Sequence, residues 1–113
     1  MSLVTHPSHP GEVLMELYLL PLEMSMITLA KRLDVPRTRI ERLVRGQTAL
    51  SADTAMRLAA FFETTPEFWM NLQRAWDLAC VRETVDLSGI RPLEKKLGQA
   101  VEPPPMLGAI QAN

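Results

Sequence analysis

A chain of 113 residues with 47% hydrophobic content is long enough for one modest core and short for two. Twelve basic residues against thirteen acidic ones leave a net charge of −1, and the single cysteine, Cys80, excludes an internal disulfide. With no C-x-x-C or H-E-x-x-H spacing, no run of ~18 apolar residues and no leader-like N-terminus, the sequence predicts a cytoplasmic protein. No metal centre, cofactor or membrane contact is expected.

The first predicted helix opens at Pro10, a residue suited to the first helical position, and Val13, Leu14, Leu17 and Leu20 fall at helical spacing. Pro21 is expected to stop it. Ser25 is a good N-cap for a second, short helix whose inner face is Leu29, Ala30 and Leu33. Asp34, tolerant of a left-handed backbone, and Pro36, which opens helices but cannot sit inside them, place a tight turn before the third.

The third helix should run from about Pro36 to Arg45, with Gly46 as its stop. At 100° per residue from Arg37, Leu43, Ile40 and Val44 fall at about 240°, 300° and 340°, one narrow buried stripe. Thr38, Arg42 and Arg45 occupy the opposite side, with Glu41 beside them and Arg37 and Arg39 at the flanks. Ser51 then caps an apolar helix through Ala55, Leu58, Ala59 and Phe62, and Thr65-Pro66 opens a longer one. Beyond Thr84, Pro92 and the triple Pro103 to Pro105 predict an irregular tail, giving a domain at 1–84 and a tail at 85–113.

Charge is segregated along this chain. Residues 25–50 carry six basic and two acidic side chains, whereas 1–24 hold three acidic residues and no base. Half of the Lys and Arg thus sit in one segment, some a helical turn apart where like charges repel. A polyanionic partner supplies the reason, because binding it releases its counterions.

Two short helices, a tight turn and a polar outward face on the second describe a helix-turn-helix, whose second helix enters the DNA major groove. Ala30, Asp34 and Ile40 meet its demands for a small residue, a permissive turn and an aliphatic anchor. The segments "HPGEVLMELYLLPL", "LAKRLDVPRTRIERLVRG" and "SADTAMRLAAFFETTPEFWMNLQRAWDL" resemble the HigA family of antitoxins, within the wider XRE-type group related to phage repressors. The likeness runs from about His9 to Ala79. It implies an all-α, five-helix lambda-repressor-like domain that binds operator DNA as a dimer, represses its own operon and neutralises a small RelE-like (HigB-like) ribonuclease toxin. The chain departs from the family pattern at Met26, where Gln is usual, and at Pro36, where Ser or Thr is usual; Met26 is read as a packing residue.

Carried over by position, the resemblance puts Arg37, Thr38, Glu41 and Arg42 at base edges, where Arg pairs well with guanine. It puts Ser25, Thr28, Lys31, Arg39, Arg45, Gln47 and Thr48 at phosphates, which fix register without reading sequence. The plainer alternative is a solvated face in which Glu41 bridges Arg37 and Arg45, which leaves Arg39 and Arg42 unexplained. Trp69, Gln73, Trp76 and Cys80 align within about 60° on the last helix, beside a second stripe of Phe68, Leu72, Ala75 and Ala79. Both stripes could enter one core; the dimer expectation assigns Trp69, Leu72, Gln73, Trp76 and Cys80 to a two-fold interface.

His6 and His9 lack an acidic or Cys neighbour at ligand spacing and are read as chain entry and helix cap, and Cys80 as packing. No Ser/His/Asp grouping or Gly-rich phosphate loop supports catalysis, so the chain is read as a non-enzyme. Two further readings stay open: a stand-alone XRE-type regulator without a toxin, and a protein-sequestering module whose DNA function has decayed.

Overall fold

The computed structural model describes residues 6–94, and among these every regular element is helical. Five helices follow in order: α1 (Pro10–Leu22), α2 (Met26–Leu33), α3 (Arg37–Val44), α4 (Ala52–Phe62) and α5 (Pro66–Thr84). α4 packs along α5, α2 against α3 and α4, and α1 against α3 and α5. Leu14, Leu19, Leu29, Ile40, Leu58 and Trp69, drawn from all five helices, are fully buried at the centre.

The helix starts follow from their capping residues. Ser25, Ser51 and Thr65 each accept, through the side-chain hydroxyl, a hydrogen bond from the backbone N–H three residues on. Pro36 precedes α3 in extended backbone, and having no polar side chain it gives that helix no cap. Three helices end on a non-glycine residue in the left-handed region, Glu23, Asp34 and Glu63, whereas Gly46 takes that conformation just after α3. Such a turn costs an L-residue about 1–2 kcal/mol and is tolerated here because it closes the last carbonyls of each helix.

α1 departs from the sequence expectation twice. It runs through Pro21 to Leu22, and residues Leu14–Leu19 form a π-helical stretch in which Leu20 N–H donates to Met15 O. Pro21 has no N–H to give and its ring crowds a regular i→i−4 ladder, so wider turns upstream give it room. The wider period also redistributes the leucines. Leu14 and Leu19, five apart, are buried together, while Leu17 and Leu20, expected at helical spacing with Leu14, are 64% and 58% exposed.

His9, Pro10 and Gly11 explain the entry to α1. The His9 Nδ1 accepts from the Gly11 N–H at 2.9 Å, so this histidine is the helix cap. Pro10 occupies the first turn, where its missing N–H has no cost. A Cβ on Gly11 would run into the Leu43 carbonyl and come within 2.9 Å of the Val44 Cα, so only glycine lets α1 cross the end of α3 this closely. After Thr84 the chain is extended at Val85, and residues 85–94 are all exposed. The triple proline and the rest of the expected tail lie outside the described residues.

Candidate nucleic-acid interface

α3 carries the site because its inward stripe is aliphatic. Ile40 and Leu43 are buried and Val44 is half-buried, which turns Arg37, Thr38, Arg39 and Arg42 to solvent; Arg45, Gln47 and Thr48 follow, exposed, on the adjoining loop. Glu41 is half-buried and pairs with Arg37 at 3.3 Å. No pair forms from Glu41 to Arg45. Lys31, Arg42 and Arg45 have no carboxylate within salt-bridge distance among the described residues, so the face keeps uncompensated positive charge.

Beside α3 an open groove of about 380 Å³ runs toward the start of α4, bordered by Thr38, Arg39, Arg42, Thr48 and Ser51. On the preceding helix Ser25, Thr28 and Lys31 are exposed, the first two joined by a hydroxyl hydrogen bond of 3.0 Å. Met26 is half-buried against the core, in keeping with packing.

Two residues that the sequence reasoning did not assign to the site brace it. Asp53 accepts from the Arg39 guanidinium at 2.6 Å and from Arg57 Nε at 3.0 Å. Arg57 also donates to the Leu33 carbonyl at 2.8 Å and more weakly to that of Asp34 at 3.4 Å. The Arg57 hydrogen bond, followed by that of Arg39, holds the Asp53 carboxyl below its ordinary range. One network thus caps α2, braces the turn and fixes the flank of α3. The i,i+4 pair Asp53–Arg57 was visible on a helix, but its two tertiary connections were not. Arg39, expected at a phosphate, is engaged by this carboxylate.

The loop after α3 is pinned from below. Gln73, 5% exposed, accepts from Leu50 N–H at 2.7 Å and donates to Asp77 at 2.8 Å. Trp69, 0% exposed, donates to Thr64 Oγ1 at 2.8 Å and lies among the rings of Tyr18, Phe62 and Phe68. Both residues are spent inside the protomer, which corrects their assignment to a dimer face: the stripe turns into the core because α5 needs it to cover α1 and α4. Leu72, Trp76 and Cys80 are half-buried, with Trp76 edge-on to His9 at 5.3 Å. Farther along α5, Leu78 and Val81 are exposed.

With this geometry in place, likeness to known proteins is informative. Residues 14–69 match the helix-turn-helix family. Antitoxin HigA-1 of Vibrio cholerae is 34% identical over 96 residues, which cover 83% of this chain and 90% of that protein. The chain belongs to the HigA family. Virulence-associated protein I of Dichelobacter nodosus is 47% identical over 70 residues, and the match spans 62% of this chain and 65% of that relative's length. The solved structure of Pseudomonas aeruginosa antitoxin HigA with the higBA promoter superposes with a TM-score of 0.70 at 37% identity, covering 78% of this chain and 99% of that one.

In this HigA-family chain the "HPGE" segment supplies a histidine cap, a first-turn proline and a glycine at the α1–α3 crossing. Its all-helical fold and its helix-turn-helix stand as the resemblance implied. No single helix among the described residues is long and apolar enough to cross a membrane.

Proposed function

We propose that this chain is a sequence-specific operator-binding repressor of its own operon and the antitoxin to a small RelE-like ribonuclease, working in the cytoplasm as a dimer. The observation that carries the reading is the exposed cationic face of α3, on which Arg42 and the adjoining Arg45 have no carboxylate partner among the described residues, set on a fold shared with a protein solved with promoter DNA. Arg37, Thr38, Glu41 and Arg42 are assigned to base edges, and Ser25, Thr28, Lys31, Arg45, Gln47 and Thr48 to phosphates, with Arg39 joining them only if it exchanges Asp53 for DNA. Dimerisation is assigned to α5, through half-buried Leu72, Trp76 and Cys80, with Leu78 and Val81 exposed elsewhere on the same helix. A two-fold pair there would present two α3 helices about 34–36 Å apart, one turn of DNA.

Mobility shift on DNA upstream of the chain's own gene, across about 50–200 mM salt, tests this. Wild type should bind specifically and weaken steeply with salt. Arg42→Ala should cost about 1–3 kcal/mol and relax specificity at one base pair, whereas Lys31→Ala should lower the salt slope by about one without changing preference. Wild-type binding no tighter than to unrelated DNA overturns the repressor reading. Relatives named only as HTH-type transcriptional regulators favour a stand-alone regulator as the competing reading; a small basic protein encoded beside this one decides against it.

A further inference from the structure

We propose that the outward stripe of α1, formed by Glu12, Glu16, Leu17 and Leu20, is the docking face for a basic protein, the toxin of the preceding section. The proposal rests on that reading for the partner's name, and on the following observations for the surface.

Glu12 and Glu16, and Glu16 and Leu20, are four residues apart and Glu12 and Leu17 five, and all four residues are exposed. Two exposed leucines this close together on a short helix are costly to leave in water, at roughly 25 cal/mol per Å² of apolar surface. They face outward because the Leu14–Leu19 stretch is π-helical, which hands the inward position to Leu19. Regular α-helix would carry the Leu14 row on to Leu17 instead. π-helical insertions of this kind recur at functional sites.

The charge selects the occupant. No Lys or Arg occurs in the first thirty residues, and neither Glu12 nor Glu16 forms an ion pair among the described residues. DNA is repelled by such a face. A second copy is disfavoured as well, because a two-fold interface here would set these carboxylates against their own symmetry mates. A positively charged protein with an apolar patch satisfies both the leucines and the glutamates. Of the cations assigned to DNA, Arg45 borders the same surface pocket as Glu12 and Glu16, whereas Leu17 and Leu20 do not line it, so the leucine pair is the part of the stripe whose loss separates partner binding from DNA binding.

The test uses the full chain and, as the probe, the small basic protein encoded next to it. Binding is measured by calorimetry, operator affinity by fluorescence anisotropy, and the mass of the free chain by light scattering. Leu17→Glu/Leu20→Glu should weaken the probe at least about 100-fold while operator affinity stays within about twofold and the mass is unchanged. Glu12→Lys/Glu16→Lys, which keeps both leucines, should weaken it too and remove its salt dependence. Probe binding unaltered in both variants overturns the docking face and leaves the antitoxin reading standing. No binding by wild type overturns both. A loss of mass in the leucine variant overturns the proposal in favour of self-association.

Discussion

α1 and α3 cross at Gly11 and Leu43, yet they relate to their sequences in opposite ways. α3 is a regular helix: its apolar residues fall on one stripe at 100° per residue, that stripe is buried, and the cations face out. α1 has an equally apolar text, but a π-helical stretch changes its period, so Leu17 and Leu20 point to solvent and Leu19, skipped by the α-spacing, is buried. The difference teaches that hydrophobic spacing reports a face only when the period is known. A proline in the last turn is one reason for the period to change.

The largest expected effect tests that period directly. Leu19→Ala should destabilise by about 2–5 kcal/mol, as for a buried leucine, while Leu17→Ala stays within about 0.5 kcal/mol. Chemical denaturation of the two variants checks the ranking, and the reverse order would restore a regular α1. Next comes the crossing itself. Gly11→Ala should cost about 1–3 kcal/mol through overpacking of backbone against backbone, read as a lower thermal midpoint.

A smaller, pH-dependent effect sits at the same junction. Burial holds the His9 imidazole below its ordinary 6.5, against an opposing hydrogen bond with the Thr48 backbone. Its Nδ1 accepts from Gly11 N–H, so the neutral ring keeps its proton on Nε2, and protonation would remove the cap. Because the unfolded chain binds this proton more readily, the stabilisation is complete above pH 6.5 and is lost as pH falls from there through the lower folded value. Thermal melts between pH about 7.5 and about 5.5 should show this decline for wild type, and a flatter profile for His9→Asn, which caps without titrating in that range. The smallest effect belongs to the end of α1. Glu23→Gly, at φ 53°, should stabilise by about 0.5 kcal/mol, since glycine meets no steric penalty in the left-handed region; an unchanged or lowered midpoint would show that Glu23 contributes something its backbone conformation does not reveal.

Much of the fold was legible because its signals are local. Ser25, Ser51 and Thr65 announce helix starts through their own hydroxyls, Asp34 and Gly46 announce stops through their backbone tolerance, and the α3 stripe follows from spacing alone. The clustering of Arg37, Arg39, Arg42 and Arg45 is likewise a property of the text, and it pointed to a polyanion before any contact was known. Other features depend on what lies across from a residue. Asp53 and Arg57 stand four apart on one helix, which says nothing of the Arg39 guanidinium and the Leu33 carbonyl that the fold brings to them. Trp69 and Gln73 shared a stripe with Trp76 and Cys80, but only the packing of α5 on its neighbours turned the first pair inward.

Sequence alone therefore determined the helix-turn-helix and its positive face, since both rest on capping, turn conformation and periodicity within a few residues. Tertiary structure decided which arginines are already paired, that Trp69 and Gln73 of α5 turn inward, and that α1 shows leucine and glutamate to solvent. Those outcomes depend on burial and on carbonyls and carboxylates delivered from distant positions, which no local pattern contains.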